Sequence, residues 1–482
     1  MEKHDKYQLV IGLEVHAQLL TRTKLFCADS TQFGAEPNTQ VSPISLAHPG
    51  TLPKMNKKAI ELAVKLGLGL HCDIERNNYF ARKNYFYPDL PKGYQVSQHT
   101  APICKGGYVS IKIDHGQKNI QLNRIHLEED AGKSIHDIDD AYTCIDLNRA
   151  GVPLLEIVTE PCMHSASEAF AFLTELRKIV RWLGVCDGNM EEGSMRCDAN
   201  ISVRLMGDTK LGKRVEVKNL NSIRNVKKAI EIEAERLIAI VESNTQVIQE
   251  TRSFDADRNI TFSLRSKEEA DDYRYFPEPD LSPFIISDEY ISNVSASMPA
   301  LPFQLEEKYI KEYALSSYDA SVICSDKEDA DFYEALINHS RHYKAAANWL
   351  LGPLRSYCNE QNISIASFPL AAESVAALIE LTESSQVNFN NASTKILHEL
   401  IKNPAESPLN MATSLNLLQE SDTGAVESWV NEVIASMPEK VKEYKSGKKG
   451  LIGLFAGEVK KKSKGKADMQ LTNKLLTEKL NQ

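Results

Sequence analysis

Residues Tyr7 to Thr21 read YQLVIGLEVHAQLLT and alternate as a strand does. With a period of two, Glu14, His16 and Gln18 share one face, and Val15, Ala17 and Leu19 share the other. A carboxylate beside an imidazole suits a metal ion, and it equally suits an ion pair or a hydrogen bond. Working outward, further strands are expected over Tyr108–Ile113, Ile120–Leu127 and Tyr142–Leu147, then a turn at Arg149-Ala150-Gly151 and a return strand Leu154–Val158. That return strand reads LLEIV, so Glu156 either points outward by alternation or faces an interior site. Met190–Leu205 supplies Glu191 and Glu192, with Asp198 and Asn200 on the strand that follows and Arg214–Asn219 as its expected partner. An amphipathic helix is expected over Lys57–Leu68, ending near Gly67 and Gly69. A second starts at Ser165, whose capping box with Glu168 precedes an apolar face of Phe170, Leu173, Leu176, Val180 and Leu183, and a third covers Ser222–Glu242.

The most unusual chemistry lies at His126–Ser134, HLEEDAGKS, where Glu128, Glu129 and Asp130 adjoin Gly132-Lys133-Ser134. A P-loop would need glycine at position 127, and Leu127 stands there instead. Three carboxylates would repel a triphosphate unless a cation lay between them, and hard oxygen donors of this kind suit Mg²⁺ or Ca²⁺. A solvated acidic turn is the alternative. In Ala81–Gln98, Arg82, Lys83 and Lys92 are interleaved with Tyr85, Phe86, Tyr87 and Tyr94, which suits a nucleotide and also suits a tyrosine-rich hairpin packed on a sheet. The first 200 residues thus hold Glu14, His16, Glu128, Glu129, Glu156, Glu191, Glu192 and Asp198 on strands or their ends, with Lys83 in a basic and aromatic loop. Carboxylates that hold Mg²⁺ and a lysine that neutralises developing charge are the content of a phosphoryl-transfer site.

The chain has 482 residues, 42% hydrophobic and 25% charged, which predicts a globular protein of about three domains. It shows neither a long apolar run nor a charged-then-apolar leader, so a membrane location is not expected. Nine scattered cysteines point to a reduced compartment. The net charge of −10 argues against a surface that binds nucleic acid everywhere, yet Lys440–Lys466 holds ten lysines against Glu443 and Glu458. That cluster is a candidate contact for an RNA backbone, or a solvated face. Gly453 and Gly457 there would allow another backbone to approach. From about Met298 to Lys402 the pattern is helical, and a third region, also helical, follows Asn403-Pro404.

The phrases VIGLEVHAQL, RKNYFYPDLPKGYQVSQ, HLEEDAGKS, DLNRAGVPLLEIVTEP, MEEGSMRCDANIS and DDYRYFPEPDL resemble, in order and along essentially the whole chain, those of the B-subunit family of the aspartyl/glutamyl-tRNA amidotransferases. The resemblance implies an α+β fold: a mixed, mostly antiparallel, cradle-like catalytic domain over 1–290, then two all-α domains over 291–403 and 404–482, the last basic and tRNA-binding. It implies a carbon–nitrogen ligase, cytoplasmic, that converts Glu-tRNA(Gln) to Gln-tRNA(Gln) and Asp-tRNA(Asn) to Asn-tRNA(Asn) through an acyl phosphate, using ATP and Mg²⁺. Carried over by position, Glu14, His16 and Glu129 match metal-binding residues, with Glu128 and Glu156 beside them. Lys83 matches a phosphate-side lysine, Arg82 and Lys133 are candidate nucleotide contacts, and Glu191 and Asp198 match acids of the activation and amidation site.

One departure stands out. Cys27 is present, but Asp29, Ser42 and Ser45 occupy the other three positions of the family's cysteine zinc site, so no zinc is expected and the loop should be held by packing alone. The chain also lacks a Ser-Ser-Lys amidase signature and a Cys-His nucleophile pair. The family implies that ammonia comes from an amidase A subunit joined through a small C subunit. Two other readings are a non-catalytic tRNA-binding scaffold and a stand-alone carboxylate ligase.

Overall fold

In a computed structural model, which describes residues 6–113, 116–266, 273–419, 423–463 and 466–481, the alternation of the opening segment becomes strand β1 (Tyr7–Gln18). Part of the DDYRYFPEPDL phrase (271–272) and of the lysine cluster (464–465) lies outside the described residues. The chain forms two compact units, Met1–Leu301 and Pro302–Gln482.

In the first unit β1 is followed by α1 (Lys57–Gly69), short strands β2 (Asp73–Ile74) and β3 (Asn77–Asn78), then β4 (Ala81–Asn84), β5 (Tyr94–Ser97), β6 (Cys104–Lys105), β7 (Tyr108–Ile113) and β8 (Gly116–Glu129). Next come β9 (Lys133–Ile135), β10 (Cys144–Asp146), β11 (Pro153–Thr159), α2 (Ala166–Trp182), β12 (Met195–Leu205), β13 (Val215–Lys218), α3 (Ile223–Glu242), β14 (Glu250–Asp255), β15 (Ile260–Ser266), β16 (Phe276–Pro277), β17 (Phe284–Ile285) and α4 (Asp288–Ala296). Ten strands make one sheet in the order β15-β14-β13-β12-β1-β11-β8-β6-β2, with β7 paired to β8. All its pairings are antiparallel except β13 with β14, so the sheet is mixed and mostly antiparallel, as expected for this α+β fold. The expected partner strand at Arg214–Asn219 is β13, paired with β12.

The helices explain why β1 is two-faced. Leu13, Val15 and Ala17 lie in one core with Leu155, Ile157, Ala199 and Ile201 from its neighbours, and Ala63, Phe172, Leu176, Ala229 and Ile230 of α1, α2 and α3 complete it. The opposite face carries Glu14, His16 and Gln18, which are only partly buried. Ser165 caps α2 by accepting from Glu168 N, and the Glu168 carboxylate accepts from His164 N at 2.7 Å, so the capping box forms one residue early. α1 ends at Gly69, as the two glycines predicted, and both also serve its packing. A Cβ on Gly67 would lie 2.5 Å from Cys104 Sγ, so this residue lets α1 seat directly on β6. The unit runs to Leu301, beyond the expected end near 290, because Val294 of α4 and Leu301 belong to the same core as α1.

The second unit is helical throughout its described residues. Its C-terminal part has its own apolar core of Val426, Val430, Phe455, Val459, Leu476 and Leu480, among others. Gly453 and Gly457 lie on the helix Ile452–Lys462, and a Cβ on either would meet open space, so neither serves a close backbone contact within the chain. Lys440 and Lys448 pair with Glu443, and Lys462 with Glu432, while Lys445, Lys460 and Lys461 have no acidic partner among the described residues. No described helix is long and apolar enough to cross a membrane.

Candidate active site

Strand register decides which side chains meet on the open face. His16 lies opposite Glu156 of β11, and Glu156 lies opposite His126 of β8. On the other side of β1, Glu14 lies opposite Asp198 and His16 opposite Arg196. Glu128 follows His126 by two and therefore shares its face. The result is a compact cluster. His16 Nε2 is 3.4 Å from Glu156 Oε2, 3.8 Å from Glu128 Oε1 and 3.9 Å from Glu14 Oε1. His126 Nε2 is 3.3 Å from both Glu128 Oε2 and Glu156 Oε2, and Ser97 Oγ donates to Glu128 at 3.0 Å. Two donor sets, Glu14-His16-Glu156 and His126-Glu128-Glu156, each place their ligand atoms within 4.8 Å of one another. Alongside, Lys218 of β13 forms an ion pair with Asp198 and lies 3.1 Å from Glu216.

So many acids in little water shift one another. Burial, reinforced by Glu156, pushes Glu14 up toward protonation. Burial opposes charge on both imidazoles, but Glu156 and Glu128 outweigh it, raising His16 and pushing His126 up to about 10. For Glu156 the balance goes the other way: burial would raise it, yet His126 and His16 hold it well below the usual carboxylate range. His126 Nδ1 is buried without a hydrogen-bond partner among the described residues.

A second layer is built from β4, β5 and β16. Lys83 on β4 has its Nζ 5.0 Å from the ring centre of Tyr273 and 5.8 Å from that of Tyr85. Burial opposes its charge, but Glu128, Tyr275 and Glu156 outweigh that, so it is held firmly as a cation in the field of the cluster. Tyr275 stacks on His99 with ring centres 4.0 Å apart.

The other expected residues fall elsewhere. Glu129 points away from Glu128, as alternation requires: it forms an ion pair with Lys92, accepts from Val96 N at 2.9 Å and lines a separate cavity of about 230 Å³. Arg82 faces away from Lys83. Its fork binds Glu278 through two bonds of 2.7 Å, and it lies over Tyr94 with 4.2 Å to the ring centre. Lys133 and Glu191 line a third cavity, of about 350 Å³, with Gln18, Arg149 and Glu192. Glu14, His16, Glu128, Glu156, Asp198 and Lys83 are thus brought together, whereas Glu129, Arg82, Lys133 and Glu191 are not.

Cys27, Asp29, Ser42 and Ser45 do converge. Asp29 accepts from Ser42 N at 2.9 Å, from Cys27 Sγ at 3.3 Å and from Ser45 Oγ, and these donors hold its carboxyl below the usual range against the effect of burial. The loop is therefore held by hydrogen bonds gathered on a carboxylate, not by packing alone.

Sequence reasoning missed His126, Lys218, Ser97 and the two tyrosines flanking Arg274. His126 was findable, since it stands two positions before Glu128 on one strand. Lys218 was not, because β13 reaches the site through pairing that no local pattern specifies.

Comparison with known proteins agrees with this architecture. Residues 9–292 match the family model described as "GatB/GatE catalytic domain", and residues 331–480 match that described as "GatB domain". The chain is 48% identical over 478 residues, 98% of this chain and 99% of the relative, to the B subunit of the aspartyl/glutamyl-tRNA(Asn/Gln) amidotransferase of Oleidesulfovibrio alaskensis. It is 48% identical over 481 residues to the protein of the same name from Geotalea uraniireducens, covering 99% of this chain and 100% of that one. Against that from Persephonella marina, identity is 46% over 476 residues, 98% of this chain and 100% of that one.

Proposed function

The chain belongs to the B-subunit family of the aspartyl/glutamyl-tRNA(Asn/Gln) amidotransferases, and on that premise we propose that the cluster of Glu14, His16, His126, Glu128 and Glu156 is where ATP activates the side-chain carboxylate of a misacylated tRNA. The observation that carries this reading is the convergence of three carboxylates and two imidazoles on one sheet face, within the field of Lys83.

A carboxylate is a poor electrophile. Attack of its oxygen on the γ-phosphorus of ATP forms an acyl phosphate and releases ADP. Ammonia then attacks the carbonyl carbon, the C–N bond forms, the C–O bond to phosphate breaks, and one proton leaves the nitrogen. Two anions must therefore meet. Lys83 supplies one fixed positive charge for that encounter, and the Lys218–Asp198 pair borders the site beside Glu14. The proton lost from nitrogen leaves with the departing phosphate as hydrogen phosphate.

The residues fit a divalent cation. Three crowded carboxylates suit a hard ion such as Mg²⁺, and His16 and His126 offer nitrogens to the same space. Glu14, His16, Glu128 and Glu156 would hold it, and when bound it would neutralise charge on the phosphate oxygens. Glu129 enters no ligand set here. Its neighbour Glu128 takes that part, because only even-numbered residues of this part of β8 face His16.

The chain works within a multi-subunit amidotransferase. An amidase A subunit supplies ammonia and a small C subunit joins the two, in the cytoplasm. Within the second unit we keep the division after Asn403, with residues 404–482 contacting tRNA. The separate apolar core at Val426–Leu480 supports this, as do Lys445, Lys460 and Lys461, which have no acidic partner among the described residues. As a test, the assembled enzyme would receive Glu-tRNA(Gln), ATP and glutamine. A Glu128→Gln enzyme is expected to lose Gln-tRNA(Gln) formation while still hydrolysing glutamine, and normal product formation would refute the assignment.

A further inference from the structure

Asp130 and Arg196 take no part in the chemistry above, yet both lie at its border. Arg196 on β12 is the register partner of His16, and Asp130 comes directly after the end of β8. In the sheet, β12 and β8 are separated by β1 and β11. Three strand spacings set their backbones roughly 14 Å apart. The two side chains close that gap. Arg196 Nη1 lies 2.8 Å from Asp130 Oδ2 and Nη2 3.0 Å from Oδ1, and Gln18 at the end of β1 donates to the same Oδ2 at 2.8 Å. The main chain of Asp130 is anchored to the start of β11, with its N–H donating to Val152 O at 2.8 Å and its carbonyl accepting from Gly151 N at 2.9 Å. Arg149 clamps the following turn by donating to Ala131 O at 2.9 Å and Gly132 O at 2.6 Å.

Four strands are thus tied together where β8 leaves the sheet. This matters because Glu128 and His16 are not ladder neighbours. They sit on β8 and β1, with β11 between, and reach over Glu156 to approach within 3.8 Å. The last ladder pair of β8 is Pro153 with Glu129, so Glu128 lies one residue before the point where β8 leaves the sheet. Metal ligands tolerate errors of only about 0.2 Å in distance. For stability alone an apolar pair of the same shape would often serve as well as a buried ion pair.

We propose that the Asp130–Arg196 pair is a positioning strut that sets the separation of Glu128 and His16 and thereby the affinity of the cluster for a divalent cation. The inference rests on the metal reading of the cluster. Asp130 also cancels a guanidinium charge that would otherwise stand beside His16 and repel a cation, so a variant that removes both charges isolates the geometric part.

The test uses the assembled enzyme titrated with Mn²⁺, with free ion read by electron paramagnetic resonance. Asp130→Asn combined with Arg196→Gln removes the buried pair together and leaves Arg149, whose Nε lies 3.8 Å from Asp130 Oδ2, its bonds to Ala131 O and Gly132 O. It is expected to bind Mn²⁺ at least tenfold more weakly, with metal-free melting within a few degrees of the wild type. A dissociation constant within twofold of the wild type would overturn the strut, even if melting had dropped. Should the double variant fail to assemble, Arg196→Lys keeps the charge and loses the fork. It is expected to weaken Mn²⁺ binding several-fold, and unchanged binding would overturn the proposal equally. If instead the wild type binds no Mn²⁺ that Glu128→Gln removes, the metal reading itself has failed, a result distinct from either of these.

Discussion

Replacing Glu128 by Gln perturbs the cluster with little change of shape, and its consequences can be worked through. Glu128 is buried, accepts from Ser97 at 3.0 Å and lies 3.3 Å from His126. Gln keeps an acceptor for Ser97 but removes one negative charge. In the metal-free protein the lost attraction to the imidazoles is offset by relief of repulsion with Glu14 and Glu156, so melting should move little. In Mg²⁺ the two proteins should part. A ligand at a hundredfold excess over its Kd stabilises the native state by about 2.7 kcal/mol. Weakening the site by about 10–100-fold, the range seen when even outer partners of metal ligands are lost, leaves about 1.4 to about 0.4 kcal/mol at the same concentration. The assay is thermal melting with and without Mg²⁺, with Glu129→Gln as the comparison. A Glu128→Gln protein that gains as much from Mg²⁺ as the wild type would refute the ligand assignment, and so would a selective loss in Glu129→Gln.

Other consequences are as direct. Because His16 and His126 are raised, and the latter to about 10, protons compete with a cation for the cluster. Mg²⁺ affinity should therefore rise from pH 6 to pH 9 with proton release, measured as a buffer-dependent binding enthalpy, and pH-independent binding would contradict this. The same raised values predict that the metal-free protein holds its imidazole contribution below an unfolded pKa of about 6.5 and loses it as pH rises toward about 10. Asp29→Ala should destabilise the first unit by roughly 2 kcal/mol, since three donors lose a charged acceptor, while a zinc-selective chelator leaves melting of the wild type unchanged. Exchanging Lys445, Lys460 and Lys461 for Ala should weaken tRNA binding and flatten its salt dependence, and an unchanged salt slope would remove these lysines from the interface.

The part of the site legible in the sequence was that set by local alternation. Glu14 and His16 share a face because β1 is regular, and Glu156 within LLEIV faces the site, not the core. Choosing between Glu128 and Glu129 needed more than their adjacency. Alternation puts them on opposite faces, and the pairing of Glu156 with His126 across β11 and β8 assigns the site to the face of Glu128. That pairing was hinted at by His126 two positions earlier, a signal outweighed by the family position assigned to Glu129. Arg196 and Lys218 were beyond local reading, since their partners lie 66 and 20 residues away in sequence. Gly67 and Gly69 marked the end of α1, which closes at Gly69, whereas their close approach to Cys104 of β6 and to Leu183 depends on packing that no local pattern specifies. The turn around Asp29 resembled a metal loop without its ligands, and the structure shows the carboxylate gathering the donors itself.

The most direct test of the central claim withholds ammonia. The assembled enzyme, given Glu-tRNA(Gln) and ATP labelled in its γ-phosphate but no glutamine or ammonium, should accumulate label on the aminoacyl group, and hydroxylamine should then displace that label as phosphate and leave a side-chain hydroxamate. Wild type is expected to show this trapped product, while Lys83→Ala and Glu128→Gln are not. Labelled product formed equally by both variants would contradict the placement of carboxylate activation at this cluster.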